Sequence, residues 1–273
     1  MKKAVFGADA VRRALEEDGA LRDLTGPVVG DRPVRGRIVA KQDLVVCGLD
    51  VAREVFRQAG ARLVPRTRDG RRARRGAVLA VVSGPARRVL AAERTALNFL
   101  QRLSGIATLT RRFVERARPA RIFDTRKTAP GLRDLDKYAV RCGGGCNHRK
   151  GLHEGAMIKD NHVAIVGDPE ALREKVWELA AAGRPVVIEA QTVEQALLFA
   201  TFPVEVVMLD NFTSAGLRRA ARLVRAVNPA VEIEASGGVT LGNVRAVART
   251  GVDRISVGAL THSAPAADLS LEL

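Results

Sequence analysis

Between Asp124 and His162 the chain reads DTRKTAPGLRDLDKYAVRCGGGCNHRKGLHEGAMIKDNH, a stretch holding three of its four histidines, a triple glycine, and single Arg and Lys residues between apolar segments. Cations set one at a time at strand ends or beside glycine-rich turns face a ligand more often than cations in exposed runs do. Arg126, Lys127, His148, Arg149 and Lys159 therefore describe a mould for a small, multiply anionic molecule. Further along come two isolated acids, Glu189 and Asp210, and two glycine-bearing turns, Ser236-Gly237-Gly238 and Val257-Gly258-Ala259. The first turn precedes a helix expected to start near Thr240, so backbone N–H groups and a positive helix end would meet a phosphate there.

Each of these residues also has a structural reading. Glu189 and Asp210 could cap following helices, Lys159 could pair with Asp160, and Ser-Gly-Gly could be a plain tight turn. Gly143-Gly144-Gly145 follows an expected helix and serves as its C-cap and turn, leading directly into Asn147-His148-Arg149. A metal centre is a weak alternative. Cys142 and Cys146 are separated by three glycines, and no second cysteine pair or His-x-x-x-His follows. A cysteine nucleophile with His148 as base would leave the surrounding cations unexplained, so both cysteines read as small buried residues.

Positioning these groups requires a scaffold, and the pattern divides near residue 105. The expected first domain, residues 1–105 joined by the tail 261–273, is an α+β sandwich-like unit. It contains a helix near Asp9–Glu17, strands at Val34–Ala40 and Gln42–Cys47, and a helix near Val51–Gln58. A helical stretch after Pro85 carries Leu90, Leu97, Leu100 and Leu103 as an apolar stripe, with Arg94 on its rim. From spacing alone, Arg94 reads as one half of a surface salt bridge. The tail Ala267–Leu273 alternates like a strand returning to this domain.

The expected second domain, residues 106–260, repeats strand, loop and helix at intervals of about 20–30 residues, the rhythm of a parallel α/β architecture. Short apolar runs at Arg121–Asp124, Ala156–Ile158, Val186–Glu189, Val204–Leu209, Val231–Glu234 and Arg254–Val257 read as strands buried on both faces. Asp168-Pro169 opens a helix that Gly183 closes, and Thr192 with Gln195 forms a capping box. Arg126, Lys127, Lys159, Glu189, Asp210, Ser236 and Gly258 then all fall at or just past C-terminal strand ends, the catalytic end of such barrels. About 150 residues are too few for eight βα units, so a six- or seven-stranded, incomplete parallel α/β barrel is expected. A partner subunit is the expected cover for the gap.

Composition bounds the alternatives. A formal charge of +15 raises nucleic-acid binding, but aromatic residues make up only 4% and no nucleic-acid-binding motif is present. The densest basic run, Arg66–Arg75, contains an Asp-Gly turn and reads as a solvated hairpin tip. No apolar run reaches membrane-span length, and the Met1-Lys2-Lys3-Ala4 start lacks a secretory apolar segment. Three cysteines in total argue against a disulfide framework. The expectation is a cytoplasmic enzyme acting on small anions, with neither nucleic acid nor membrane as partner.

Glu93-Arg94-Thr95-Ala96-Leu97-Asn98, Ser104-Gly105-Ile106-Ala107-Thr108, Asp124-Thr125-Arg126-Lys127-Thr128, Asn147-His148-Arg149, Ile158-Lys159-Asp160-Asn161-His162, Leu209-Asp210-Asn211 and Glu234-Ala235-Ser236-Gly237-Gly238 together resemble the quinolinate phosphoribosyltransferases. The resemblance runs from about residue 5 to the end. It implies a pentosyltransferase of de novo NAD synthesis that joins quinolinate to phosphoribosyl pyrophosphate (PRPP), releasing pyrophosphate and carbon dioxide to give nicotinate mononucleotide. It implies quinolinate contacts from Arg94, Arg126, His148, Arg149 and Lys159, with Arg94 reaching into a neighbouring subunit's site. PRPP contacts would come from Lys127, Glu189, Asp210, Ser236, Gly237, Gly238 and Gly258, and Mg²⁺ would arrive with PRPP rather than in a protein cage. A homodimer or multiple of dimers with shared sites is implied. Ala190-Gln191 and His153-Glu154 depart from the family pattern. A paralogous phosphoribosyltransferase-like protein associated with molybdenum transport is the rival reading; Asp124–Lys127 and Asn147–Arg149 favour the quinolinate enzyme.

Overall fold

Alternation of branched apolar with small or charged residues builds five strands in the first third of the chain: β1 (Pro33–Ala40), β2 (Leu44–Val45), β3 (Arg62–Pro65), β4 (Arg72–Ala73) and β5 (Val78–Pro85). They are seen in a computed structural model that describes residues 6–273; the Met1–Ala4 start lies outside the described residues. One compact unit comprises residues up to Arg111, Thr128–Gly144 and Leu260–Leu273, and a second comprises Arg112–Lys127 and Gly145–Ala259.

In the first unit, β1 lies between β5 and the C-terminal strand β12 (Leu269–Glu272), and β3 flanks β5, all antiparallel. Ile38, Val55, Phe56, Leu79, Val82, Leu97, Leu100 and Leu103 form its core. The helix after Pro85 is one continuous element, Ala86–Ala117, so the boundary expected at residue 105 falls inside it. The strand expected at Gln42–Cys47 shrinks to β2 because the Cys47 amide donates to the Ser104 hydroxyl instead of a neighbouring strand (3.0 Å).

The basic run lies in the connection between the antiparallel strands β3 and β5, with Arg66, Arg68, Arg71, Arg72, Arg74 and Arg75 exposed, as a solvated hairpin tip requires. Its Arg72–Ala73 pairs with β2, and Asp69 turns inward, accepting from the amides of Gly48 (2.9 Å) and Leu49 (3.2 Å) and from the Tyr138 hydroxyl (2.9 Å). A carboxylate there satisfies orphan N–H groups at the start of the helix Leu49–Ala59 and meets the positive end of its dipole.

Six parallel strands make the second unit: β6 (Arg121–Phe123), β7 (Ala156–Ile158), β8 (Val186–Ala190), β9 (Val206–Asp210), β10 (Glu232–Ser236) and β11 (Arg254–Ser256). Their spatial order is β6-β11-β10-β9-β8-β7. Beyond β6 a single parallel bridge joins Phe123 to Cys146, so the barrel has six strands and the stub of a seventh. Asp168 accepts from the Ala171 amide (2.9 Å) and the Thr192 hydroxyl from the Gln195 amide (3.2 Å), as expected, but the Gln195 side chain accepts from the Gln191 amide (2.8 Å), one residue before the cap, so the capping box is only half formed.

Register sorts the side chains, because laterally paired residues in a parallel sheet share a face. Ile158, Ile188, Val207 and Ile233 form one row, and Ala235, Ile255 and Ile122 continue that apolar face. On the other face Glu189, Met208, Glu234, Arg254 and Arg121 line up side by side. Burying charge on this face disfavours folding unless each is paired, and each is: Glu189 with Lys159, Glu234 with His148 and Arg254, and the exposed Arg121 with Glu232.

Candidate active site

Eleven of the twelve site residues expected from the sequence lie in the second unit, at or beyond its C-terminal strand ends; Arg94 lies in the first. Arg94 is exposed on the helix Ala86–Ala117 and makes no ion pair among the described residues, contrary to the salt bridge its spacing suggested.

Asp124 directly follows β6 and is fully buried. Its carboxylate accepts from the His148 amide (2.8 Å) and from the Asn147 side-chain amide (2.6 Å). One acid thus ties the Arg126–Lys127 loop at one strand end to the Asn147-His148-Arg149 segment that follows the triple glycine. His148 is buried as well, its Nε2 2.6 Å from Glu234 Oε1 on β10 and its ring edge-on to Phe123. Arg254 stacks over Phe123 at 4.1 Å and approaches Glu232 (3.3 Å) and Glu234 (3.5 Å). Asp124 and Glu234 were not assigned roles from sequence. The available signal was an acid inside a strand otherwise fit for burial on both faces.

Arg149 is half-buried, donating from Nη1 to the Gly155 carbonyl (2.8 Å), while its enclosed Nε has no hydrogen-bond partner among the described residues. Burial first, and the neighbouring Arg126 cation second, hold its guanidinium below the usual range. Two cations brought together with an unsatisfied donor between protein walls describe an anion site.

Lys159 follows β7 and its ammonium lies 3.2 Å from Glu189 Oε2 on β8, not against Asp160. Glu189 is buried, and neither it nor Asp210 caps a helix; Thr192 and Thr213 do that. Asp210 ends β9 directly across from Ser236, half-exposed, its Oδ2 accepting from Asn211 (2.7 Å). Of the two carboxylates only Asp210 reaches solvent, as a carboxylate that meets a hydrated cation must.

After Ser236 the chain turns through Gly237 and Gly238, both at positive φ (88° and 60°). A side chain at 237 would place its Cβ 2.1 Å from Asn211 Oδ1, so only glycine allows this close approach. The helix expected near Thr240 begins at Val244; Asn243 closes the intervening turn, accepting from the Thr240 amide (2.8 Å) and donating to the Gly238 carbonyl (3.0 Å). The Ser236–Gly238 turn therefore offers an exposed glycine backbone, not the end of a long helix dipole. Gly258 follows β11 and opens the short helix Ala259–His262.

The profile described as "Quinolinate phosphoribosyl transferase, C-terminal domain" matches residues 106–272, and the corresponding N-terminal domain profile matches residues 22–104. The chain is similar to the nicotinate-nucleotide pyrophosphorylase [carboxylating] of Mycobacterium leprae, 45% identical and covering 97% of this chain and 96% of the relative. It is similar also to the probable nicotinate-nucleotide pyrophosphorylase [carboxylating] of Bacillus subtilis, 40% identical over 94% of this chain and 90% of that one. The solved nicotinate-nucleotide pyrophosphorylase of Francisella tularensis superposes with a TM-score of 0.88 at 35% identity, covering 97% of this chain and 95% of that one. With both domain profiles matched in order and relatives aligned over nearly their full length, the chain belongs to the quinolinate phosphoribosyltransferase family.

Proposed function

We infer that the chain transfers the phosphoribosyl group of PRPP to the nitrogen of quinolinate, giving nicotinate mononucleotide, pyrophosphate and carbon dioxide. Family membership supports the reaction. Within the site, the observation that carries the reading is the Arg126–Arg149 pair with the unsatisfied Arg149 Nε. A carboxylate on a planar ring supplies an oxygen to the Arg149 Nε beside a second cation, and a guanidinium binds a carboxylate through two parallel N–H···O bonds.

In this reading Arg126, His148, Arg149 and Lys159 grip the quinolinate carboxylates. Asp124 and Glu234 act as positioning residues through the His148 amide and imidazole. Lys159, half-exposed and already beside Glu189, links the quinolinate and ribose ends of the site. Lys127 faces the pyrophosphate, and the turns at Ser236–Gly238 and Gly258 receive the 5′-phosphate. Glu189 and Asp210 hold the ribose hydroxyls. They stabilise the positive charge that builds at the anomeric carbon as the pyridine nitrogen attacks and pyrophosphate departs. Glu189 and Asp210 would be the carboxylates nearest to Mg²⁺ arriving with PRPP, which would neutralise phosphate charge. Loss of the 2-carboxylate as carbon dioxide leaves an electron pair on that ring carbon, which the new pyridinium nitrogen stabilises until the carbon takes a proton from water, so no protein nucleophile is required; orientation and electrostatics supply the rate.

Arg94, exposed and without an ion-pair partner among the described residues, would serve the site of a second copy in a homodimer. A cytoplasmic setting fits a chain in which no described helix is long and apolar enough to cross a membrane. The site assignment is tested by equilibrium binding of quinolinate to the wild type and to Arg126→Ala, with nicotinate as the monocarboxylate control. Loss of quinolinate binding with an unchanged fold is expected; equal affinity in both proteins would remove Arg126 from the site.

A further inference from the structure

Cys142 lies four residues from Cys146 in sequence, yet its sulfur partner in the fold is Cys47. Cys47 follows β2 and is wholly buried, while Cys142 ends the helix Arg133–Cys142 and is half-buried. The two sulfurs and an Asp69 carboxylate oxygen all lie within 4.8 Å of one another. We propose that Cys47 and Cys142 are a reversible thiol–disulfide pair, a modification site separate from the residues of the reaction.

Both backbones are held at this range. The Cys47 amide and carbonyl are each bonded to the Ser104 hydroxyl, at 3.0 and 3.2 Å. After Cys142, the Gly143 amide donates to the Ala139 carbonyl (3.0 Å), and the Gly143 carbonyl accepts from Arg111 Nε (2.9 Å). Gly143 must be glycine, since a Cβ there would lie 2.5 Å from Thr110 Cβ. Side-chain rotation alone then has to bring the sulfurs to the bonding distance of about 2.05 Å.

The two thiols are unlike. A hydrogen bond from the Cys47 thiol holds Cys142 below the ordinary thiol range, while burial pushes Cys47 up. Cys142, the more accessible and the more acidic, attacks; Cys47 resolves. With hydrogen peroxide as oxidant, the Cys142 thiolate attacks one oxygen, the O–O bond breaks, and the second oxygen leaves as water after taking a proton. Cys47 sulfur then displaces hydroxide from the Cys142 sulfenic acid, and that hydroxide leaves as a second water carrying the Cys47 proton. Two electrons pass from the thiols to the peroxide.

A metal would compete for the same cluster, but the Asp69 oxygens are already committed to Gly48, Leu49 and Tyr138. A cation would have to uncap the helix Leu49–Ala59 and would still find three protein ligands where a structural zinc takes four. The sulfur pair is what remains available.

The test is disulfide mapping of the full-length protein, reduced, treated with equimolar hydrogen peroxide, and alkylated without reduction. After tryptic digestion Gln42–Arg53 carries Cys47, and Cys142–Arg149 carries both other cysteines, so fragmentation of the linked peptide must place the bond. The expected product joins Cys47 to Cys142, leaves Cys146 alkylated, and reverts with dithiothreitol. A Cys142–Cys146 bond, a Cys142 sulfenic or sulfinic acid beside an alkylatable Cys47, or no thiol loss would each overturn the proposal. So would protection of both thiols by Zn²⁺ at one ion per chain in the fully reduced protein, reversed by EDTA.

Discussion

Replacing Arg149 with Met should strengthen the unliganded protein and cripple quinolinate binding. An unsatisfied buried donor costs about 1–3 kcal/mol, and the Arg149–Gly155 hydrogen bond that Met forfeits contributes about 0.5–1.5 kcal/mol. Relief of the repulsion from Arg126 adds to the first figure, and Met fills a similar length of apolar space. The balance is a stabilisation of about 1 kcal/mol, which for a chain of this size raises Tm by about 2–4 °C. On the binding side, two charge-assisted hydrogen bonds to a carboxylate are lost. At about 1.5 kcal/mol each, the low end of their range, the loss of 3 kcal/mol weakens quinolinate about 150-fold. Thermal unfolding with and without quinolinate reads both effects. The wild type should be stabilised by about 2.7 kcal/mol at a hundredfold excess over Kd, and the variant by almost nothing at the same concentration. A fall in the variant's unliganded Tm of more than about 4 °C, or a quinolinate affinity within about threefold of wild type, would refute the reasoning.

Glu189→Gln should lower kcat by about 10²-fold while quinolinate binding does not weaken, because the carboxylate acts on charge at the anomeric carbon; steady-state kinetics beside calorimetric titration would separate the two. Gly237→Ala should raise the KM for PRPP with little change in that for quinolinate, since the new methyl meets Asn211 at the phosphate turn; equal effects on both substrates would point to general distortion. Glu54 lies buried against Arg57 and Gln58, and the hydrogen bond from Arg57 holds its carboxyl below the usual range. A depressed folded-state pKa contributes stability that is present above the unfolded value and lost as pH falls through the folded one. Glu54→Gln should therefore cost about 2 kcal/mol at pH 7, with the wild-type advantage shrinking below about pH 4 in urea melts.

Much of the second unit was legible because each parallel strand, buried on both faces, is a short apolar run whose last residue hands over to a polar one. Lys159, Glu189 and Asp210 could be placed at strand ends from that pattern alone. The helix caps at Asp168 and Thr192 were legible because their partners lie three residues away. What escaped depends on partners far along the chain. Asp69 looked like a solvated turn because Gly48, Leu49 and Tyr138, which occupy its oxygens, are remote in sequence. Glu234 was quoted only as part of a motif, since its partner His148 sits 86 residues earlier. Cys142 and Cys146 read as small buried residues, whereas both are half-buried and the fold sets Cys142 against Cys47, 95 residues earlier in the chain. The start of the helix at Val244 was misplaced because Thr240 resembles an N-cap, while Asn243 closes a separate turn first.

The central claim is that one site joins quinolinate to PRPP and decarboxylates the product. Quinolinate labelled at the 2-carboxylate, incubated with the protein, PRPP and Mg²⁺, tests both halves in a single time course. Labelled carbon dioxide and nicotinate mononucleotide should appear in equal amounts, both dependent on PRPP, with nicotinate failing to replace quinolinate. Mononucleotide formed equally well from nicotinate, or no carbon dioxide release from quinolinate, would contradict the account.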